Sequence, residues 1–110
     1  MRLAHLFLLT VALYCVASAH SISRPFSGVA SYYGKHLQGH RMANGRRYNR
    51  QALTAATRRL PLGSNARVTS LRTHRSVKVM VTDRGPFKKH RVIDLSEAAA
   101  RRLGMTAPGD

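Results

Sequence analysis

The stretch SVKVMVT (76–82) constrains this chain more than any other. Val77, Val79 and Val81 alternate with Lys78, Met80 and Thr82, the period-two pattern of a strand with one face in a core and the other in water. ARVTSL (66–71) alternates as well, with Ala66 and Val68 on one side, and RTHR (72–75) reads as the hairpin connection between the two. A lone hairpin is marginal in water, so other segments must cover its apolar face. GVASYYG (28–34) is rich in β-formers and closed by glycine, and RVIDL (91–95) is a further short strand. ALTAATRRLPLGS (52–64) opens as a short helical or extended segment and stops at the turn signal Pro61-Leu62-Gly63. Residues 35–51, KHLQGHRMANGRRYNRQ, are polar and glycine-punctuated, a long loop of the kind that binds something. One helix is expected, over about 96–103: Ser96 caps it, Glu97 suits its first turn, and two arginines fall in its last turn before Gly104.

Residues 1–19, MRLAHLFLLTVALYCVASA, read as a secretory signal peptide. Arg2 forms the basic end, Leu6 to Val16 the apolar run, and Ala17-Ser18-Ala19 the cleavage signal before His20. The run is shorter than the roughly 20 residues a bilayer needs, which disfavours a lasting membrane anchor. Tyr14 makes Cys15 a poor lipoprotein site, so a periplasmic or extracellular protein is expected. The organisation that follows is a signal at 1–19, a disordered lead-in at 20–27, one domain at 28–105 and a tail at 106–110. Cys15 is the only cysteine and leaves with the signal, so the 91-residue remainder must fold without a disulfide. A closed barrel with no free edges meets that demand.

The chain carries 19 Lys and Arg against four Asp and Glu, a formal charge of +15. Such a surface seeks polyanions. An exported protein meets the carboxylates and phosphates of a cell envelope, so nucleic acid is set aside as a partner. Three of the four acids, Asp83, Asp94 and Glu97, fall within residues 83–97. Asp83 and Asp94 each end a candidate strand, where they either converge in one groove or only accept backbone N–H bonds at a turn. Arg84 beside Asp83 favours its charged form, and Glu97 suits a helix dipole with no catalytic part. Tyr32 and Tyr33 alternate across a strand, so one faces the core and the other is free to stack on a ligand ring. His36 and His40 have i, i+4 spacing, but Gly34 and Gly39 oppose a helix there, and no metal or cofactor is expected.

GVASYYG (28–34), RMANGRRYN (41–49), ALTAATRRLPLGSNARVTSL (52–71), RSVKVMVTDRGPF (75–87) and RVIDLSEAAARRLGM (91–105) resemble, in order and spacing, the rare lipoprotein A (RlpA-like) family. The resemblance covers nearly all of 28–105, and DRGPF followed by R-x-IDLS-x-AAA is its most specific part. It implies an all-β fold, a six-stranded double-psi β-barrel with an open groove and one short C-terminal helix. It also implies an endolytic peptidoglycan lytic transglycosylase. Such an enzyme cleaves MurNAc–GlcNAc bonds, with preference for peptide-free glycan strands, and leaves 1,6-anhydro-MurNAc ends. On that reading Asp83 and Asp94 are catalytic, an aspartate like Asp94 often being the general acid. Tyr33, Asn44, Arg46, Thr57 and Arg84 would border the glycan, and a monomer is expected. Two positions depart from the family pattern. Arg46 stands where ANGE places an acid, and Thr57 where LTAAH places a histidine. Both favour the alternative, a catalytically impaired, expansin-like glycan-binding module. Larger members carry a C-terminal glycan-binding domain for septal targeting, which is not expected of the sequence as it runs to Asp110.

Overall fold

Residues 24–105 are described by the computed structural model. The alternating stretch becomes the longest of five strands: β1 Val29–Tyr32, β2 Thr54–Ala56, β3 Asn65–Thr69, β4 Ser76–Asp83 and β5 Arg91–Leu95. A 3-10 turn occupies Lys35–Leu37, and one helix, α1, runs over Glu97–Arg102. The leader at 1–19 and the tail at 106–110 lie outside the described residues, as do residues 20–23 of the lead-in. Residues 24–27 have no regular structure, although the Phe26 ring sits under the Arg59 guanidinium at 5.0 Å.

The strands form one sheet in the order β1-β5-β2-β4-β3. β3 and β4 pair as the expected antiparallel hairpin. β1 runs parallel to β5, β2 runs parallel to β4, and the two parallel pairs meet antiparallel between β2 and β5. Crossed parallel pairs within a small all-β sheet give the double-psi arrangement. Five strands form among the described residues, however, where six were expected. The 39–48 segment comes nearest to a sixth, with Tyr48 N–H on the His40 carbonyl and Met42 N–H on the Arg46 carbonyl, each at 2.7 Å. Gly39 and Gly45, at φ 84° and 88°, turn the chain out of extended geometry at its start and between the bridged residues, and the ladder shrinks to the single bridge Arg41–Arg47.

Val77, Val79, Ala55, Ile93 and Leu95 bury one face of the sheet against Ala99, Ala100 and Leu103 of α1 and the turn after it. Each buried valine or leucine contributes about 1.5–3 kcal/mol. Ser96 fixes where α1 begins. Its hydroxyl accepts from Ala99 N–H at 3.2 Å and donates to the Ala52 carbonyl at 2.6 Å, which ties the helix start to the segment entering β2.

Strand alternation fails at two places. Ala55 pairs with Val81, but the next β2 residue, Ala56, pairs with Asp83, so Thr82 is an extra residue in β4. Val29 pairs with Arg91 and Ala30 with Ile93, so Val92 is an extra residue in β5. These are β-bulges, and each one reverses which face the flanking side chains take. Unbroken parity would put Asp83 on the Val77-Val79-Val81 face, inside the core. The bulge turns it to the opposite face. In the same way Arg91, which shares parity with the buried Ile93 and Leu95, is brought round to the side of Asp94. Gly28 makes room for the second bulge, since a Cβ there would stand 2.6 Å from a methyl of Val92.

Candidate active-site cleft

Ala56 is the register partner of both acids, of Asp83 on one side and Asp94 on the other. With neighbouring strands about 4.8 Å apart, the two aspartate backbones stand about 10 Å from each other across the small alanine. Both side chains line one cleft of about 350 Å³, together with Tyr32, Tyr33, Met42 and Tyr48 among others. The sequence suggested convergence without being able to show it, and the sheet register brings it about.

The two carboxylates are held differently. Asp83 accepts the Tyr33 phenol on Oδ2 at 2.6 Å, and the backbone N–H groups of Ala43 and Arg84 on Oδ1 at 2.8 and 2.9 Å. Asp94 is ion-paired with Arg91 at 2.7 Å, and the Ser31 hydroxyl, itself hydrogen-bonded to Arg91, donates to the same oxygen, Oδ1. The contacts of Asp94 to Ser31 and Arg91 thus fall on Oδ1, so Oδ2 is the oxygen that can meet a substrate. Tyr33 stands within the field of both acids. Burial above all, then the hydrogen bond to Asp83 and the charges of Asp83 and Asp94, hold its phenol well above the ordinary pKa of 10. The ring also packs on Tyr48, with centroids 4.7 Å apart. Tyr33 is therefore a neutral hydrogen-bond donor to the acid at the cleft wall, while Tyr32 packs against the core cluster.

Behind the cleft, Tyr48 is 2 % exposed and its hydroxyl accepts the Glu97 N–H at 3.1 Å. Glu97 is engaged by arginines and does not line the cleft. It is buried at the start of α1, receives Arg50 at 2.6 Å and lies 3.5 Å from Arg101. The Arg50 hydrogen bond chiefly holds its carboxyl below the ordinary value. This pairing, with Arg50 N–H on the Gln38 side chain at 2.8 Å, pins the long 35–51 loop over the site.

The other sequence candidates are placed as follows. Asn44 and Arg46 sit exposed in the turn beside the cleft, with Asn44 Oδ1 accepting the Arg46 N–H at 2.9 Å. The loop reaches Asp83 through the Ala43 backbone, and neither Asn44 nor Arg46 lines the cleft. Thr57 is fully buried, with its hydroxyl donating to the Val92 carbonyl at 2.9 Å. It has no open face to offer a sugar, and it braces the bulged part of β5. Arg84 turns away from Asp83 and spends its guanidinium on the carbonyls of Thr57 and Leu60, at 2.5 and 2.6 Å. Only its backbone N–H serves the acid, so Arg84 holds the loop and does not line the cleft. Ser31, Arg91 and Ala56 were missed. The spacing of Arg91 and Asp94 puts them on opposite faces of a regular strand, and only the bulge joins them. Among the described residues no group of three or more His, Cys, Asp or Glu is placed to hold a metal ion.

A family model described as "Lytic transglycolase" matches residues 26–110. The chain is 51 % identical over 92 residues to the probable endolytic peptidoglycan transglycosylase RlpA of Synechocystis, covering 84 % of this chain and 29 % of that protein. It is 44 % identical over 89 residues to the endolytic peptidoglycan transglycosylase RlpA of Campylobacter jejuni, covering 81 % and 32 %. Against the protein of that name from Pseudomonas aeruginosa it is 51 % identical over 82 residues, covering 74 % and 24 %. The chain thus spans no more than about a third of the length of these relatives. With strand order, cleft and sequence match agreeing, the chain belongs to the RlpA-like family of double-psi β-barrel proteins.

Proposed function

We propose that this domain is an endolytic peptidoglycan transglycosylase that cuts MurNAc–GlcNAc bonds of glycan strands and leaves 1,6-anhydro-MurNAc ends. The observation that carries this reading is the pair of carboxylates flanking Ala56 in one cleft. The names of the relatives support it. Asp94, through Oδ2, delivers a proton to the glycosidic oxygen as the C1–O bond breaks and positive charge gathers on C1 and the ring oxygen. Asp83, fixed by Tyr33 and two backbone N–H groups, is the charged carboxylate that stabilises this cation. The Asp94 carboxylate then takes the proton of the sugar's own C6 hydroxyl, whose oxygen bonds to C1 and closes the anhydro ring. No water is consumed, and the acid regains the proton it gave.

The ion pair between Arg91 and Asp94, together with Arg46 and Thr57 at the two departures from the family pattern, favours a second reading: a glycan-binding module whose acids only hydrogen-bond sugar hydroxyls. A digest of amidase-stripped peptidoglycan with the purified protein, read by mass spectrometry for anhydro ends, separates the two. Under the enzyme reading the parent forms anhydro ends, and Asp83→Asn and Asp94→Asn each lose about a hundredfold or more in rate. Glycan binding with no anhydro product leaves the binding module. The leader pattern at 1–19 supports work outside the cytoplasmic membrane, and an N-terminus at His20 in exported protein is the expected mark of it.

A further inference from the structure

A second groove, of about 600 Å³, lies beside the acid cleft, and Arg91 lines both. We propose that this groove, formed by Arg58, Arg59, Phe87, Lys88, Lys89 and His90, binds the ionised carboxylates of an acidic glycan strand as an extension of the cleft; the proposal rests on the function proposed above.

Charge balance makes the first argument. The described residues contain three carboxylates, and none of them neutralises the groove. Asp83 is held by Tyr33 and two backbone N–H groups, Glu97 by Arg50 and Arg101, and Asp94 touches the groove's edge only through Arg91. Arg58, Arg59, Lys88 and Lys89 therefore gather with His90 and have no carboxylate of their own, beside an Arg91 that Asp94 pairs, and a bound polyanion relieves their mutual repulsion.

The kind of anion follows from Phe87. Phe87 is 75 % exposed and lines the groove. Arg58 sits 5.1 Å from the ring centre and is fixed there by Nε–H on the Pro86 carbonyl at 3.0 Å. An exposed ring bordered by a fixed cation suits a ligand with an apolar flat face and a carboxylate at its edge, which describes a sugar carrying an acid group. A chain of phosphodiesters without rings would leave Phe87 uncovered. Because Arg91 is common to both grooves, a strand seated over Asp83 and Asp94 runs on into the basic groove without leaving the surface.

Binding of peptide-stripped glycan strands is measured with the purified protein by fluorescence titration at low and high salt. The same strands with every carboxylate converted to a neutral amide serve as the matched probe. Lys88→Ala/Lys89→Ala and Phe87→Ala alter exposed side chains, and a thermal melt equal to the parent's verifies that each folds. The double lysine variant is expected to bind native strands about tenfold more weakly at low salt, with that gap closing at high salt. On the amidated strands it should equal the parent. Phe87→Ala should weaken binding of both strand types. Equal binding of native strands by parent and double variant overturns the proposal, as does undiminished parent binding of amidated strands. Tighter binding of oligothymidylate or anionic vesicles than of glycan overturns the assignment to an acidic glycan. Failure of the function proposed above looks different. It shows as no anhydro ends in the digest while charge-dependent strand binding persists, and that result leaves the groove standing.

Discussion

Asp83 and Asp94 are two of very few acids on a strongly basic chain, and the groups around them decide what each can do. Tyr33→Phe removes one of the donors to Asp83 and leaves the rings packed. The expected result is a fall of about tenfold to a hundredfold in the cleavage rate with strand binding little changed, read from separate rate and affinity measurements. The phenol itself supplies a second test. Its pKa is raised in the fold, so the stability it contributes is intact below the unfolded value of 10 and is lost as pH rises beyond it. Phenolate absorbance from Tyr33 should therefore appear together with loss of the β-sheet circular dichroism, not before it. Glu97 works in the opposite direction. Its folded pKa is lowered, so its contribution is present above the ordinary value of 4.5 and lost as pH falls from there through the lowered folded value. Urea midpoints measured from neutral pH to acid should decline for the parent, and Glu97→Gln should flatten that decline.

At the level of strands and helix, much was legible and the decisive part was not. The valines of β4, the hairpin to β3, the short β5 and the Ser96-capped helix all follow from alternation and capping chemistry. The bulges at Thr82 and Val92 do not, because a bulge is fixed by what two strands do together and leaves no period in either one. Hence the sequence showed that two aspartates were near strand ends, but not that Thr82 turns Asp83 out of the core, nor that Arg91 would reach Asp94. Thr57 and Arg84 are drawn away from the cleft for a related reason, since small buried polar groups and long side chains are claimed by backbone carbonyls that only the fold brings near. Deleting Thr82 should return Asp83 to the valine face as an uncompensated buried carboxylate, costing several kcal/mol. A large drop in melting temperature is expected, partly recovered when Asp83→Val is added to the deletion. Ser96→Ala should cost about 1–3 kcal/mol by denaturant titration, because it uncaps α1 and also leaves the Ala52 carbonyl without its partner.

For the whole molecule, the strand order matters more than any single contact. β1, the first strand, pairs with β5, the last, and it carries Ser31 and leads directly into Tyr33. A chain that begins after Tyr33 would keep both aspartates and the β3–β4 hairpin. It should nevertheless lack a cooperative unfolding transition and bind no glycan, as circular dichroism and strand titration would show. Pairing across the length of the domain also delays it, since contacts distant in sequence form only after the intervening chain exists. Until β5 is made, Ser31, Tyr33 and Asp83 have no Asp94 or Arg91 to face, since both lie in that last strand. The cleft is thus the last part of the domain that can form, because it needs the two ends of the described chain to meet.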